Sequence, residues 1–154
     1  MQIEIITKPV FSVIGIPGST EEGEGFVRRC WAEANARFPE VAALAKKDAD
    51  GSLAGCWGAM SDFSLTFAPW EEDFTKGLYL AGVECEDDAE PPEGWTKWTL
   101  PGFRFVRIPV EGGNTFREGL RYLEEQGLAL AGAVQDFTDV KSGKDYMCFP
   151  IERL

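Results

Sequence analysis

Apolar residues in this chain follow two periods, and the periods come in the same order twice. Residues 3–7 and 10–16 are rich in β-branched and aromatic side chains and read as strands. Lys8-Pro9 separates them, which makes the first an edge strand or an extended lead-in, and Pro17-Gly18 is expected to end the second. The period then lengthens. Phe26, Cys30, Ala34 and Phe38 recur at every fourth position with Val27 and Trp31 beside them, the stripe of an amphipathic helix. Ser19 and Glu22 have the spacing of a capping box ahead of it. Pro39 interrupts the stripe, and residues 41–47 predict a short second helix. Strands are expected again at 53–60 and 76–84, separated by the aromatic-rich loop 61–75.

The second half repeats this order. Residues 103–110 read as a strand. Thr115 with Glu118 has capping-box spacing, Phe116, Leu120 and Leu123 form a helical stripe, and Gly127 supplies a stop. Residues 129–138 and 145–151 are the last two strands, joined at Ser142-Gly143. Between the halves lies an acidic stretch, 84–93, with Pro91-Pro92, which reads as a solvated connector.

Short motifs repeat with the elements. Phe11-Ser-Val-Ile-Gly-Ile-Pro17 matches Phe103-Arg-Phe-Val-Arg-Ile-Pro109; Leu53-Ala54-Gly55 matches Leu130-Ala131-Gly132; strands close on Val83-Glu84 and Ile151-Glu152. A duplication of this length predicts the architecture. The expectation is one α+β domain over 1–154, built as a tandem β-α-β-β repeat with pseudo-two-fold symmetry. Half one covers about 1–84, the connector 85–102 and half two 103–154. Two main helices should lie on one face of an antiparallel sheet, with a ligand groove at the seam.

Charge and composition narrow the chemistry. The chain has 15 Lys and Arg against 26 Asp and Glu, a formal net charge of −11, and no His. Phosphate backbones repel such a surface, so direct nucleic-acid binding is not expected; a cationic ligand or a basic protein partner is. The four scattered cysteines lack metal-ligand spacing, so no metal and no cofactor is expected, and reduced thiols suit the cytoplasm. No apolar run is long enough for a membrane helix, and the N-terminus lacks signal-peptide character. Without His, any proton transfer falls to carboxylates, Tyr or Cys.

The β-α-β-β order, Trp57-Gly58, Gly77-Leu-Tyr-Leu-Ala-Gly-Val-Glu84, Val134-Gln-Asp-Phe137 and Phe149-Pro150-Ile151 together resemble the GyrI-like small-molecule-binding domain. That domain is also the effector-binding part of bacterial multidrug-responsive transcription activators. The resemblance implies a groove between the halves with aromatic walls and a buried acid at its base, taking flat, apolar, often cationic compounds. It also implies two alternatives. One is a hydrolase opening strained cyclopropane rings of DNA-alkylating natural products; the other is an acidic protein protecting DNA gyrase. The chain lacks a helix-turn-helix region and reads as a free-standing member. Where the family usually has Glu in the penultimate strand, this chain has Asp136.

Candidate residues follow from strand alternation and the repeat. Asp136 shares a strand face with Val134 and is the candidate counter-charge. Superposing the two Leu-Ala-Gly copies aligns Trp57 with Val134 and Ala59 with Asp136, and the matching closing strands align Tyr79 with Met147. Trp57 then becomes a stacking face opposite the acid. One of Tyr79 and Tyr146 should reach the groove, and Phe67 and Trp70 come from a loop that either covers the groove or fills the core. If the protein is a hydrolase, Asp136 and Glu84 are its catalytic carboxylates. Trp31 reads as core, and Trp95 and Trp98 as a cover for the far end of the groove.

Overall fold

A computed structural model describes residues 2–154. Its strands are β1 (Glu4–Lys8), β2 (Phe11–Ser19), β3 (Cys56–Ser61), β4 (Leu78–Cys85), β5 (Thr96–Leu100), β6 (Phe103–Pro109), β7 (Gln135–Asp139) and β8 (Lys144–Arg153). Helix α1 spans Phe26–Ala36, α3 spans Thr115–Glu125, and the single turn α2 spans Glu71–Phe74. All eight strands form one antiparallel sheet in the order β1-β6-β8-β7-β3-β4-β2-β5. That order is a palindrome: exchanging the halves maps each strand onto its counterpart, with β3 and β7 meeting at the centre.

Each half therefore carries a lead-in strand, and the halves exchange them. β1 pairs with β6, and β5 with β2. The acidic stretch begins inside β4, where Glu84 is buried and not solvated, and β5 follows it inside the region read as linker. Phe11 pairs with Leu100 as Phe103 pairs with Lys8, so the two copies of the Phe-x-x-(Val/Ile)-x-Ile-Pro motif occupy matching places in matching registers.

Following the registers inward corrects the alignment of the halves. Ile16 pairs with Ala81, and Ala81 with Gly58; Ile108 pairs with Met147, and Met147 with Asp136. The two rungs meet where Gly58 pairs with Asp136. Gly58, not Ala59, is thus the counterpart of Asp136, and the pseudo-two-fold passes through their pair. The Leu-Ala-Gly copies lie ahead of the paired strands and are out of step by one residue. A one-residue slip exchanges the faces of a strand, so the assignment of Trp57 on β3 inverts, while Tyr79 and Met147 keep theirs.

Other differences are local. β2 runs through Pro17 to Ser19, because β5 pairs only as far as Gly15 and the edge of β2 at Pro17 needs no donor on that side. The Ser19/Glu22 capping box closes a 3-10 turn, Thr20–Glu22, ahead of α1. Residues 41–47 form only a brief 3-10 turn at Ala42–Leu44. Asn114, not Thr115, occupies the N-cap position of α3 without a side-chain capping bond, and the Thr115 hydroxyl accepts from the Glu111 N–H.

Both main helices lie on one face. Helix α1 packs on β2 and β4, covering Ile14, Ile16, Ala81 and Val83; α3 packs on β6 and β8, covering Val106, Ile108 and Phe149. The opposite face curls around a third apolar cluster with Phe11, Trp57, Phe67, Trp98, Phe103 and Phe105. Neither helix sits over the central β3–β7 pair, so a groove opens there between them. No helix among the described residues is long and apolar enough to cross a membrane.

Candidate ligand site

Asp136 stands on the floor of this groove. A cavity of about 320 Å³ opens above it, lined by Val27 and Trp31 of α1, by Gly58, Tyr79 and Met147 of the sheet, and by Asp145. The side chains alternate as a strand requires: Asp136 faces the helices, Phe137 and Trp57 the other side. Gly58 makes the arrangement possible. A Cβ at that position would collide with the Tyr79 hydroxyl and come within 3.1 Å of the Asp136 Cβ. The missing side chain lets a phenol from β4 cross β3 and reach the carboxylate on β7.

The polar contacts form a short chain. Trp31 Nε1–H donates to the Tyr79 oxygen at 2.9 Å, and the Tyr79 hydroxyl donates to Asp136 Oδ2 at 3.3 Å. The second contact is long for an O–H to carboxylate bond, so most of the acceptor capacity of Asp136 is left facing the groove. Burial pushes the Asp136 carboxyl up to about 6; the Tyr79 hydrogen bond opposes this and the charge of Asp145 adds to it. Burial, with the nearby Asp136 charge, also drives the Tyr79 phenol far above its ordinary range, so it stays protonated and acts as a donor. Among the described residues, no Lys or Arg forms an ion pair with Asp136.

A second, apolar cavity of about 180 Å³ adjoins this one and shares Met147 with it. Its walls are Met60, Pro69, Trp70, Phe74, Phe116, Ala133 and Val134. Trp70 is pinned by its N–H on the Leu78 carbonyl at 2.9 Å, and Phe74 meets Phe116 of α3 edge to face at 5.0 Å.

The candidates from the sequence divide by face. Asp136 and Tyr79 meet in the groove, and Trp70 walls the adjoining cavity. Trp57 does not face Asp136. It is 2% exposed on the opposite face, between Phe11 and Phe137, and its indole N–H has no hydrogen-bond partner. Glu84 lies on that face too, 3% exposed and paired with Lys8 Nζ at 3.1 Å, so the two carboxylates expected of a hydrolase are not together. Tyr146 borders the groove, but its ring packs against Phe137 and beneath the Arg107 guanidinium. Phe67 turns inward onto Trp98 and belongs to the core. The aromatic loop thus fills the core with Phe67, while Trp70 and Phe74 line the adjoining cavity and do not border the groove above Asp136. Trp95 and Trp98 are both core and leave the groove uncovered.

Trp31, Gly58, Met147 and Phe116 were not anticipated. Trp31 lies at the margin of its helical stripe, where a ring can pack on the core and still border the seam. Gly58 becomes visible only once the register is known.

Neither a protein-family model nor a curated protein sequence matches this chain. Solved structures do. The chain covers 99% of itself and 94% of SAV2435, a structure bound to tetraphenylphosphonium, with a TM-score of 0.66 at 16% identity. Against the C-terminal domain of EcmrR the TM-score is 0.65 at 12% identity, over 99% of this chain and 98% of that one. The fold is that of the GyrI-like small-molecule-binding domains. A hydrolase from Listeria innocua is more distant, with a TM-score of 0.54 at 13% identity over 98% of this chain and 92% of that one. At these identities the GyrI-like likeness concerns the fold. Chemistry has to be argued from the groove itself.

Proposed function

We propose that the chain is a ligand-binding domain whose groove takes a bulky lipophilic cation, with Asp136 as counter-charge and Trp31 and Tyr79 as walls. One observation carries this reading: Asp136 sits in a depression with one long hydrogen bond and, among the described residues, no cation paired with it. A carboxylate in such a place is costly to ionise, and a bound cation removes the cost. Asp145 adds negative potential at the same groove. The two cavities, about 320 and 180 Å³, fall within the ~300–1,000 Å³ typical of small-molecule sites when taken together. SAV2435, of the same fold, binds tetraphenylphosphonium, which supports a ligand of this class.

Calorimetric titration with tetraphenylphosphonium and with tetraphenylborate, near-isosteric ions of opposite charge, tests the reading. The phosphonium should bind at pH 7.5, and its affinity should fall about tenfold or more in Asp136→Asn. Affinity should also fall as the pH drops below about 6, where protons occupy Asp136. The borate should bind poorly to both proteins. Equal binding of the two ions, or an unchanged phosphonium affinity in Asp136→Asn, would overturn it.

A further inference from the structure

Behind Met147 the groove changes character. Val134, which lines the apolar cavity, stands just ahead of β7 and two residues before Asp136, so roughly 7 Å of extended main chain separates the two positions. Met147 pairs with Asp136 and lines both spaces, while Met60 lines only the apolar one. Apart from main-chain atoms and the Trp70 N–H, already committed to Leu78, the walls of that cavity offer a ligand no hydrogen-bonding group. Its cover is unusual backbone. Glu72, Asp73 and Phe74 have φ of 51°, 56° and 66°, a left-handed turn of three non-glycine residues. Such a turn is strained, and here it holds the Phe74 ring against Phe116 across the seam.

We infer that the apolar cavity is a subsite for the uncharged arm of the same ligand whose cationic head sits at Asp136. The inference rests on the cation reading of the groove and narrows it. The ligand class becomes a single-headed amphiphilic cation, a quaternary or protonated nitrogen bearing an alkyl or aryl arm long enough to pass Met147. A ligand with charges at both ends does not fit, because the far subsite has nothing to hold the second charge. The flexible thioether of Met147 is suited to the boundary, since it can swing between rotamers as an arm passes.

A homologous series of n-alkyltrimethylammonium ions, from ethyl to dodecyl and each below its micellar concentration, tests this beside the matching n-alkanols. Affinity of the ions should stay flat for the shortest arms. It should then tighten about two- to fourfold per methylene once the arm passes Met147, and level off when the cavity is full. Methyl-labelled methionine NMR gives an independent readout in the unaltered protein. Met147 should shift with every ion that binds, Met60 only with the long-armed ones. Val134→Phe, which fills the cavity, should abolish the length dependence. A flat series with Met60 unmoved, while the ions still lose affinity in Asp136→Asn, would sink the subsite and leave the cation reading standing. Ions and alkanols of equal affinity, both indifferent to Asp136→Asn, would sink the cation reading itself.

Discussion

The two faces of the central sheet each hold an acid among aromatic rings, and they treat it in opposite ways. On the curled inner face, Glu84 has a cation built in. The Lys8 ammonium, carried across from the lead-in strand, sits 3.1 Å from its carboxylate, 4.6 Å from the centre of the Phe11 ring and 5.8 Å from that of Trp57. On the helix face, Asp136 has a phenol, an indole one step further back, and open space. The inner cluster is a finished cation site whose guest is the protein's own lysine. The groove has the same kinds of part, but among the described residues no lysine or arginine pairs with its acid, and it is here that we propose a cation binds. A buried carboxylate is evidence for a ligand only when its charge has not already been neutralised from within.

The sharpest way to break the contrast is to remove the internal guest. Lys8→Met leaves the Glu84 charge buried and unpaired, and should destabilise the fold by about 2–4 kcal/mol in urea denaturation. The figure is below that for a fully enclosed pair because the Lys8 side chain stays 25% exposed. Tetraphenylphosphonium affinity should hardly change, since the sheet separates the two acids. A large loss of affinity would show that the faces are coupled.

The groove acid should respond in the other direction. Its folded-state value is raised from 3.8 to about 6. Between those values the folded chain binds a proton that the unfolded chain does not. The resulting stability is complete below the unfolded value and is lost as pH rises through about 6. Asp136→Asn removes that pH-dependent loss, so the variant should be more stable than wild type above pH 6 by on the order of 1–2 kcal/mol, with the gap narrowing toward pH 4. Denaturation curves across this range check the sign. A variant that gains stability while losing cation affinity marks a residue kept for binding, not folding.

The smallest change is Tyr79→Phe. It removes one long hydrogen bond and leaves the Trp31 N–H unpaired, a loss of about 1 kcal/mol. Because the phenol lowers the Asp136 value, its removal should move the pH midpoint of cation binding upward. An unmoved midpoint would mean that the phenol only packs there.

The fold was legible because its signals are periodic and repeated: two helical stripes, paired strand motifs, and proline at corresponding strand ends. The site was half legible. Asp136 stood out by the place the family resemblance gives it, and Tyr79 only as one of two tyrosines expected near the groove. Trp57 misled because its placement depended on aligning the halves, and a slip of one residue moves a side chain through the sheet. Lys8 was invisible as the partner of Glu84, since their contact is made by a strand that crosses to the other half. β5 escaped because Thr96 to Leu100 carries two charge-compatible, half-exposed positions beside an acidic run, with no alternation strong enough to oppose the connector reading.

The pairing of Gly58 with Asp136 across the axis has one more consequence. Two identical halves would be bound to show the same residue from both sides of that axis. Two aspartates would stand directly opposed and repel each other, and two glycines would leave the floor without charge. A single chain encoding both halves escapes this constraint, and here one position keeps the acid while its mirror keeps only room for the phenol. Symmetry builds the cradle, and one broken position gives it a polarity, so that the ligand we propose would find a head end and a tail end already laid out.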